Sequence, residues 1–119
     1  MFSAWGALYH LKHPMLALER IRSVCSGLMI LQTITTKHNS IAEELDGRLL
    51  AETQLQSSHL EHPLFPSMRF IEGSLGGDST CWFVPNPPAA AAMIRASGFR
   101  IEKTAFPSPY EMFVQAVSV

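Results

Sequence analysis

The sequence is short of charged residues, of cysteines and of long apolar runs. Charged residues make up 16% of the 119 residues, and nine Lys and Arg stand against ten Asp and Glu. They form no basic run of the kind that follows a phosphate backbone, so the chain alone is not predicted to bind nucleic acid. Two cysteines do not make a secreted disulfide scaffold, and no run approaches ~18 apolar residues. We therefore expect a soluble protein of the reducing cytoplasm, without a membrane partner.

The composition favours one folded α/β domain spanning residues 1–119. Apolar residues make up 47% of the chain, whereas a disordered segment would be polar and strongly charged. A chain of this length can bury somewhat under ~70% of the surface that its unfolded form exposes, which is enough for one core.

The first third of the chain reads as strand, helix and strand. Phe2–Leu8 has the composition of the end of a buried strand, and Pro14 fits the first turn of a helix. Gly27 is predicted to end this helix in a left-handed conformation. The run Leu28–Thr36 predicts a strand buried on both faces of a parallel sheet. The helix is amphipathic, with apolar residues at spacings of three and four: Met15, Leu18, Ile21 and Cys25.

The rest of the chain predicts an insertion, a helix and a hairpin. Residues 37–66 have mixed helix and strand patterns and are interpreted as a variable insertion. Ala89–Ser97 predicts a helix with a small alanine face, capped by Gly98. Phe99–Phe106 and Tyr110–Val119 predict two antiparallel strands joined by a short Pro-Ser-Pro turn.

Two segments resemble one protein family. "GALYHLKHPMLALERIR" is similar to the segment after the fourth strand of class I S-adenosylmethionine-dependent methyltransferases, in the family that includes tRNA wobble-uridine (carboxy)methyltransferase-like proteins. "GGDSTCWFVPNPPAAAAMIRASGF" is similar to the segment that leads into the last helix of that family. The resemblance implies a partial Rossmann-like methyltransferase fold, with strands four, five, seven and six in spatial order and an antiparallel C-terminal hairpin.

The N-terminal half of the family fold has no match in this sequence. In the family that half carries three strands, a glycine-rich cofactor loop and an acidic residue on the cofactor ribose. "EGSLGGD" does not replace the loop, because it neither follows a strong strand nor opens a helix. The resemblance therefore implies a methyltransferase domain that begins in its fourth strand, and the isolated chain is expected to bind S-adenosylmethionine weakly or not at all.

Carried over by position, the resemblance assigns three cofactor-binding residues. Trp5, Gly6 and Tyr9 correspond to the loop that borders S-adenosylmethionine in the family, where Tyr9 would help to hold the charged methionine end. From the residues alone, Tyr9 and the neighbouring His10 either belong to a site or close a strand-to-helix turn. Sites in α/β sheets gather beyond the carboxyl ends of strands, which favours the first interpretation.

We predict His10, Trp82 and Asn86 as substrate-binding residues. His10 would orient the substrate, and the aromatic segment around Trp82 would either wall a pocket or cover the core as an apolar lid. The sequence identifies no catalytic residue. In-line methyl transfer requires placement of the reactants and exclusion of water, so the absence of a triad motif does not argue against it.

Three departures from the family pattern bear on the reaction. Gln32 stands where the family commonly has Glu, Cys81 often corresponds to Asn, and the final strand lacks the arginine of the members that use a carboxylated cofactor. The resemblance therefore implies ordinary methyl transfer, to a tRNA or a small-molecule acceptor.

No metal site is predicted. The pairs His10 with His13 and His59 with His62 are spaced at three, but neither pair has an acidic or cysteine partner at ligand spacing.

Two other interpretations stay open. One is a noncatalytic half-domain that pairs through its open sheet edge with a companion N-terminal half or with a second copy of itself. The other is a small α/β domain with an unrelated role, which would be favoured if the loops of Tyr9 and Trp82 lay far apart.

Overall fold

The chain is described by a computed structural model that covers residues 2–6, 8–37, 56–63 and 65–119. The segment of the predicted insertion with mixed helix and strand patterns lies outside these residues. Within the insertion, the structure describes a 3-10 helix at Ser57–Glu61. The other described elements, in chain order, are β1 Phe2–Ala4, α1 Pro14–Val24, β2 Leu28–Ile34, β3 Met68–Phe70, β4 Phe83–Pro85, α2 Pro87–Ala96, β5 Phe99–Ser108 and β6 Glu111–Ser118.

The main sheet has four strands in the order β1-β2-β6-β5. β1 and β2 are parallel, and β6 runs antiparallel to both of its neighbours. The predicted pairing of the C-terminal hairpin is confirmed, with irregular register between Ile101 and Lys103 and between Ala105 and Ser108. Strands β3 and β4, which the sequence did not indicate, form a separate antiparallel pair.

The two described α-helices contribute to an apolar core on one face of the main sheet. Leu18 of α1 and Ile94 of α2 are fully buried there. The face that they cover consists of alternate residues of the two central strands: Met29, Leu31, Met112, Val114 and Ala116. Among the described residues, the opposite face carries no helix, and its side chains are partly exposed.

The structure corrects the prediction that β2 is buried on both faces. Met29, Leu31 and Thr33, on one face of the strand, are buried. Ile30 and Ile34, on the other face, are half-buried. The prediction was wrong because both faces of β2 carry apolar residues, although only one face packs against the described helices.

Several predicted boundaries also shift. β1 ends at Ala4 rather than Leu8, and β2 ends at Ile34. Helix α1 ends at Val24, where the extended Cys25 donates its backbone N–H to Ile21; Gly27 does not have the left-handed conformation predicted for it. The extended cap leads the chain directly into β2.

Helix α2 begins two residues earlier than predicted. Pro87 and Pro88 occupy its first turn, where a missing N–H costs nothing, and Asn86 caps it. At its other end Gly98 has φ +100°, which confirms the predicted glycine after this helix.

Candidate functional site

Two loops meet beyond the carboxyl end of β1. One follows β1 and carries Tyr9 and His10, and the other is the connection between β3 and β4. The backbone N–H of Trp82 donates to the carbonyl of Tyr9 at 2.8 Å, which ties the two loops together. The segments that carry the family resemblance are therefore in contact, which argues against the unrelated α/β domain.

Gly6 has a conformation and a position that suit glycine. Its φ is +63°, and a Cβ at this position would lie 3.1 Å from the Tyr9 hydroxyl. A side chain there would therefore be strained and would press on Tyr9. Of the three predicted cofactor residues, the structure brings Gly6 and Tyr9 together.

Gln32 anchors this loop to the sheet. Its amide oxygen accepts the backbone N–H of Gly6 at 2.6 Å, and its amide nitrogen donates to a carboxylate oxygen of Glu111 at 3.0 Å. A glutamate at position 32 would lack the donor and would place a second negative charge against Glu111. Gln32, which stands where the family commonly has Glu, thus has a hydrogen-bond partner in β6.

Trp5, the third predicted cofactor residue, is 68% exposed. Its ring meets the ring of Phe113 edge-on, with centroids 5.2 Å apart. Phe113 lies on the face of the sheet that no described helix covers, so Trp5 extends the site toward that face.

Tyr9 is held as a neutral phenol. Partial burial raises the pKa of its hydroxyl above the ordinary value, and Cys81, Asp78 and Glu111 add to that effect electrostatically. At neutral pH the hydroxyl is therefore available as a hydrogen-bond donor. Its ring lies beside that of His10, with centroids 4.1 Å apart.

His10 faces the connection between β3 and β4. Its Nδ1 lies 3.1 Å from both the carbonyl oxygen and the hydroxyl of Thr80. The Thr80 hydroxyl and backbone N–H both donate to Oδ1 of Asp78. These bonds lower the pKa of the Asp78 carboxyl, whereas burial and the nearby Asp78 charge raise the pKa of the Cys81 thiol.

The two remaining predicted substrate residues have different surroundings. Trp82 carries the Lys12 ammonium 4.4 Å above its ring centre, a cation–π contact. Asn86 is 8% exposed, and its amide bonds to the backbone of Phe65, Ser67 and Ala89 rather than pointing toward His10. These contacts give Asn86 a structural role, and its assignment to the substrate remains a prediction.

Sequence reasoning did not find the grouping of His10 with Asp78 and Thr80. His10 and Thr80 are 70 residues apart, and neither segment has a local spacing typical of a site. The one available signal was the pair of family-like segments, whose contact brings these residues together.

One solved structure that the chain resembles is a protein from Listeria monocytogenes described as an S-adenosylmethionine-dependent methyltransferase. The match has a TM-score of 0.58 at 14% sequence identity and covers 98% of this chain and 60% of the other. The present chain thus spans less than two thirds of that protein. No protein-family profile matches the chain, and no curated protein sequence matches it.

The likeness shows the fold: a mixed α/β sheet with helices, of the type found in methyltransferases. The described helices α1 and α2 have 11 and 10 residues, and no described helix has the length and apolar character that a membrane crossing requires.

Proposed function

We propose that this chain is the C-terminal part of an S-adenosylmethionine-dependent methyltransferase of the class I type. The observation that carries the proposal is the sheet order β1-β2-β6-β5, with the last strand inserted antiparallel between its neighbours. This order and these directions agree with strands four, five, seven and six of the family. The shared fold with a methyltransferase supports the same conclusion.

The residues of this chain would form one wall of the cofactor site. Gly6 and Tyr9 follow a parallel strand at its carboxyl end, where ligands bind in open α/β sheets. The neutral Tyr9 hydroxyl would donate to the carboxylate of the cofactor's methionine end, and Trp5 would border the cofactor from the uncovered face. S-adenosylmethionine, when bound, supplies an electrophilic methyl group.

The acceptor side would lie around His10 and Trp82. Transfer of a methyl group would depend on in-line placement of the acceptor and on exclusion of water, which the residues around His10 and Trp82 would provide. Thr80 fixes the His10 ring from one side, which suits a residue that orients an acceptor. The acceptor, a tRNA or a small molecule, is not distinguished by these contacts.

We expect the isolated chain to bind S-adenosylmethionine only at millimolar concentration. The glycine-rich loop and the ribose carboxylate would belong to a companion N-terminal half, and each lost tenfold in affinity corresponds to ~1.4 kcal/mol. Titration of the 15N-labelled chain, followed by NMR, should shift the amide signals of Gly6 and Tyr9. Asp78 and Thr80 should shift less.

Tyr9→Phe is the matched control for this titration. It removes the hydroxyl that would meet the cofactor carboxylate but keeps the ring beside His10. The localised shifts should require still higher concentrations in this variant. Shifts spread evenly over the chain, or none at the solubility limit of the cofactor, would contradict the cofactor wall.

A second candidate is a noncatalytic half-domain that associates through its open sheet. β1 is a three-residue edge strand, and Trp5 next to it is largely exposed on the face that lacks a described helix. The unpaired backbone groups of a sheet edge can bond to another chain, although the shortness of β1 limits how many such bonds form, so packing of Trp5 would carry most of the association. A second copy of this chain would bury both β1 and Trp5.

Sedimentation velocity over a range of concentrations tests this candidate. Trp5→Glu should weaken a dimer, because it places a charge where the second copy would pack. Val24→Glu is the control, since Val24 is 74% exposed but lies on α1. A monomer at all concentrations would reject the candidate, as would equal loss in both variants.

A further inference from the structure

Three side chains of different metal-ligand types converge where the two loops meet. His10, Asp78 and Cys81 each present one ligand atom, and these atoms all lie within 4.8 Å of one another. Cys81 is buried and Asp78 is exposed, so the group is open to solvent on one side. A cation could therefore enter from solvent and reach the buried sulfur.

The backbone holds these ligands in place. Besides the hydrogen bond from Trp82 to Tyr9, Leu75 and Asp78 exchange reciprocal backbone hydrogen bonds of 2.9 and 3.0 Å. Gly76 and Gly77 between them have φ values of +57° and +83°, which close a tight turn. The position of Asp78 is thus set by the turn, and the positions of His10 and Cys81 by the contact between the loops.

Thr80 supports two of the three ligands. It contacts Nδ1 of His10 through its carbonyl and its hydroxyl, and it donates twice to Oδ1 of Asp78. Residues that hydrogen-bond to ligand side chains in this way fix ring and carboxylate orientation in metal sites. The Cys81 sulfur would bind a divalent cation as the thiolate, so binding would release the thiol proton to solvent.

We propose that His10, Asp78 and Cys81 bind one Zn²⁺ ion, with a fourth position left for water or a ligand. A nitrogen, an oxygen and a sulfur donor suit Zn²⁺, whereas Mg²⁺ and Ca²⁺ take oxygen donors. Ligand atoms around tetrahedral Zn²⁺ lie roughly 3.5 Å apart, so side-chain shifts of about 1 Å would close the site. The proposal does not rest on methyl transfer.

Co²⁺ is the probe that reports the ligands directly. The chain, stripped of metal with a chelator, should take up one Co²⁺ and develop a near-ultraviolet thiolate-to-cobalt band, which Zn²⁺ then displaces. Cys81→Ser should abolish the band. It should also weaken Zn²⁺ binding at least ~10-fold, because loss even of a residue that only supports a metal ligand has an effect of this size. His10→Ala and Asp78→Asn should each weaken binding to a similar or greater degree.

Two control variants match these changes. Cys25→Ala removes the other buried cysteine, whose sulfur contacts the carbonyls of Gly27 and Leu28, and it should leave the cobalt band intact. His13→Ala removes an exposed histidine near His10 that makes no cap bond to α1. It should leave the affinity unchanged.

Far-ultraviolet circular dichroism of each variant separates loss of the site from loss of the fold. His10→Ala and Asp78→Asn change residues outside the core, so they keep the test decisive if Cys81→Ser unfolds. The proposal is overturned if the folded wild-type chain binds no Co²⁺. It is overturned equally if bound Co²⁺ shows no thiolate band, or if the folded His10→Ala and Asp78→Asn variants bind as the wild type does.

Discussion

Replacing Asn86 with alanine is expected to lower the free energy of unfolding by about 3 kcal/mol, the sum of a lost helix cap and of buried groups left without partners. The Asn86 oxygen accepts from the backbone N–H groups of Ala89 and Ser67, at 2.9 and 3.0 Å. Its nitrogen donates to the carbonyl of Phe65 and the hydroxyl of Ser67. One side chain therefore connects α2 to the segment that precedes β3. Urea denaturation followed by circular dichroism measures the change.

Ser97→Ala at the other end of α2 is the control for this change. Ser97 is as buried as Asn86, at 8% exposure for each, but its hydroxyl donates one hydrogen bond of 2.8 Å, to the carbonyl of Met93 in α2. Loss of one such bond should cost about 1 kcal/mol or less. Equal destabilisation by the two variants would show that burial, rather than the bonds to neighbouring segments, accounts for the effect.

Leu18→Ala is expected to destabilise the domain by about 3 kcal/mol, within the range of 2–5 kcal/mol found for such truncations in well-packed cores. Leu18 is fully buried in the cluster where α1 meets the sheet and α2. Its truncation removes apolar contacts and leaves a cavity that the rigid strands cannot fill. The thermal midpoint and the urea midpoint should both fall.

Leu16→Ala on the same helix makes the comparison quantitative. Leu16 is 50% exposed, so the same chemical change removes little buried surface and should cost about 0.5 kcal/mol or less. Helix propensity changes equally in the two variants. A difference between them of under about 1 kcal/mol would contradict the packing of α1 described above.

Local patterns were sufficient to predict the helices and the hairpin. The spacing of Met15, Leu18, Ile21 and Cys25 identified the buried side of α1, because helical periodicity is a property of adjacent turns. Pairing of β5 with β6 followed from a connection too short for a crossover. In contrast, β3 and β4 have three residues each, too few for alternation to be detected.

The site was predictable to the extent that one segment contains it. Tyr9 and His10 follow β1 at its carboxyl end, as the family-like segment predicts. The hydrogen bond from Trp82 to Tyr9 and the approach of Cys81 to His10 leave no signal in the local sequence. Each depends on how two loops distant in the sequence pack together. Asn86 caps α2, and an amide in a family-like segment can cap a helix as readily as it can bind a ligand, so its assignment to the substrate stays a prediction.

The contact between Gln32 and Glu111 joins residues that are 79 positions apart, and it lies within the pairing of β2 with β6. Closing a loop of this length costs entropy before any contact repays it, and domains dominated by such contacts fold slowly. During synthesis, β2 therefore emerges well before β6, the strand that pairs with it along its full length. Until β6 has been made, an apolar strand is paired at most with three-residue β1. We therefore expect the nascent chain to be prone to aggregation during that interval, because it exposes an unpaired apolar strand edge.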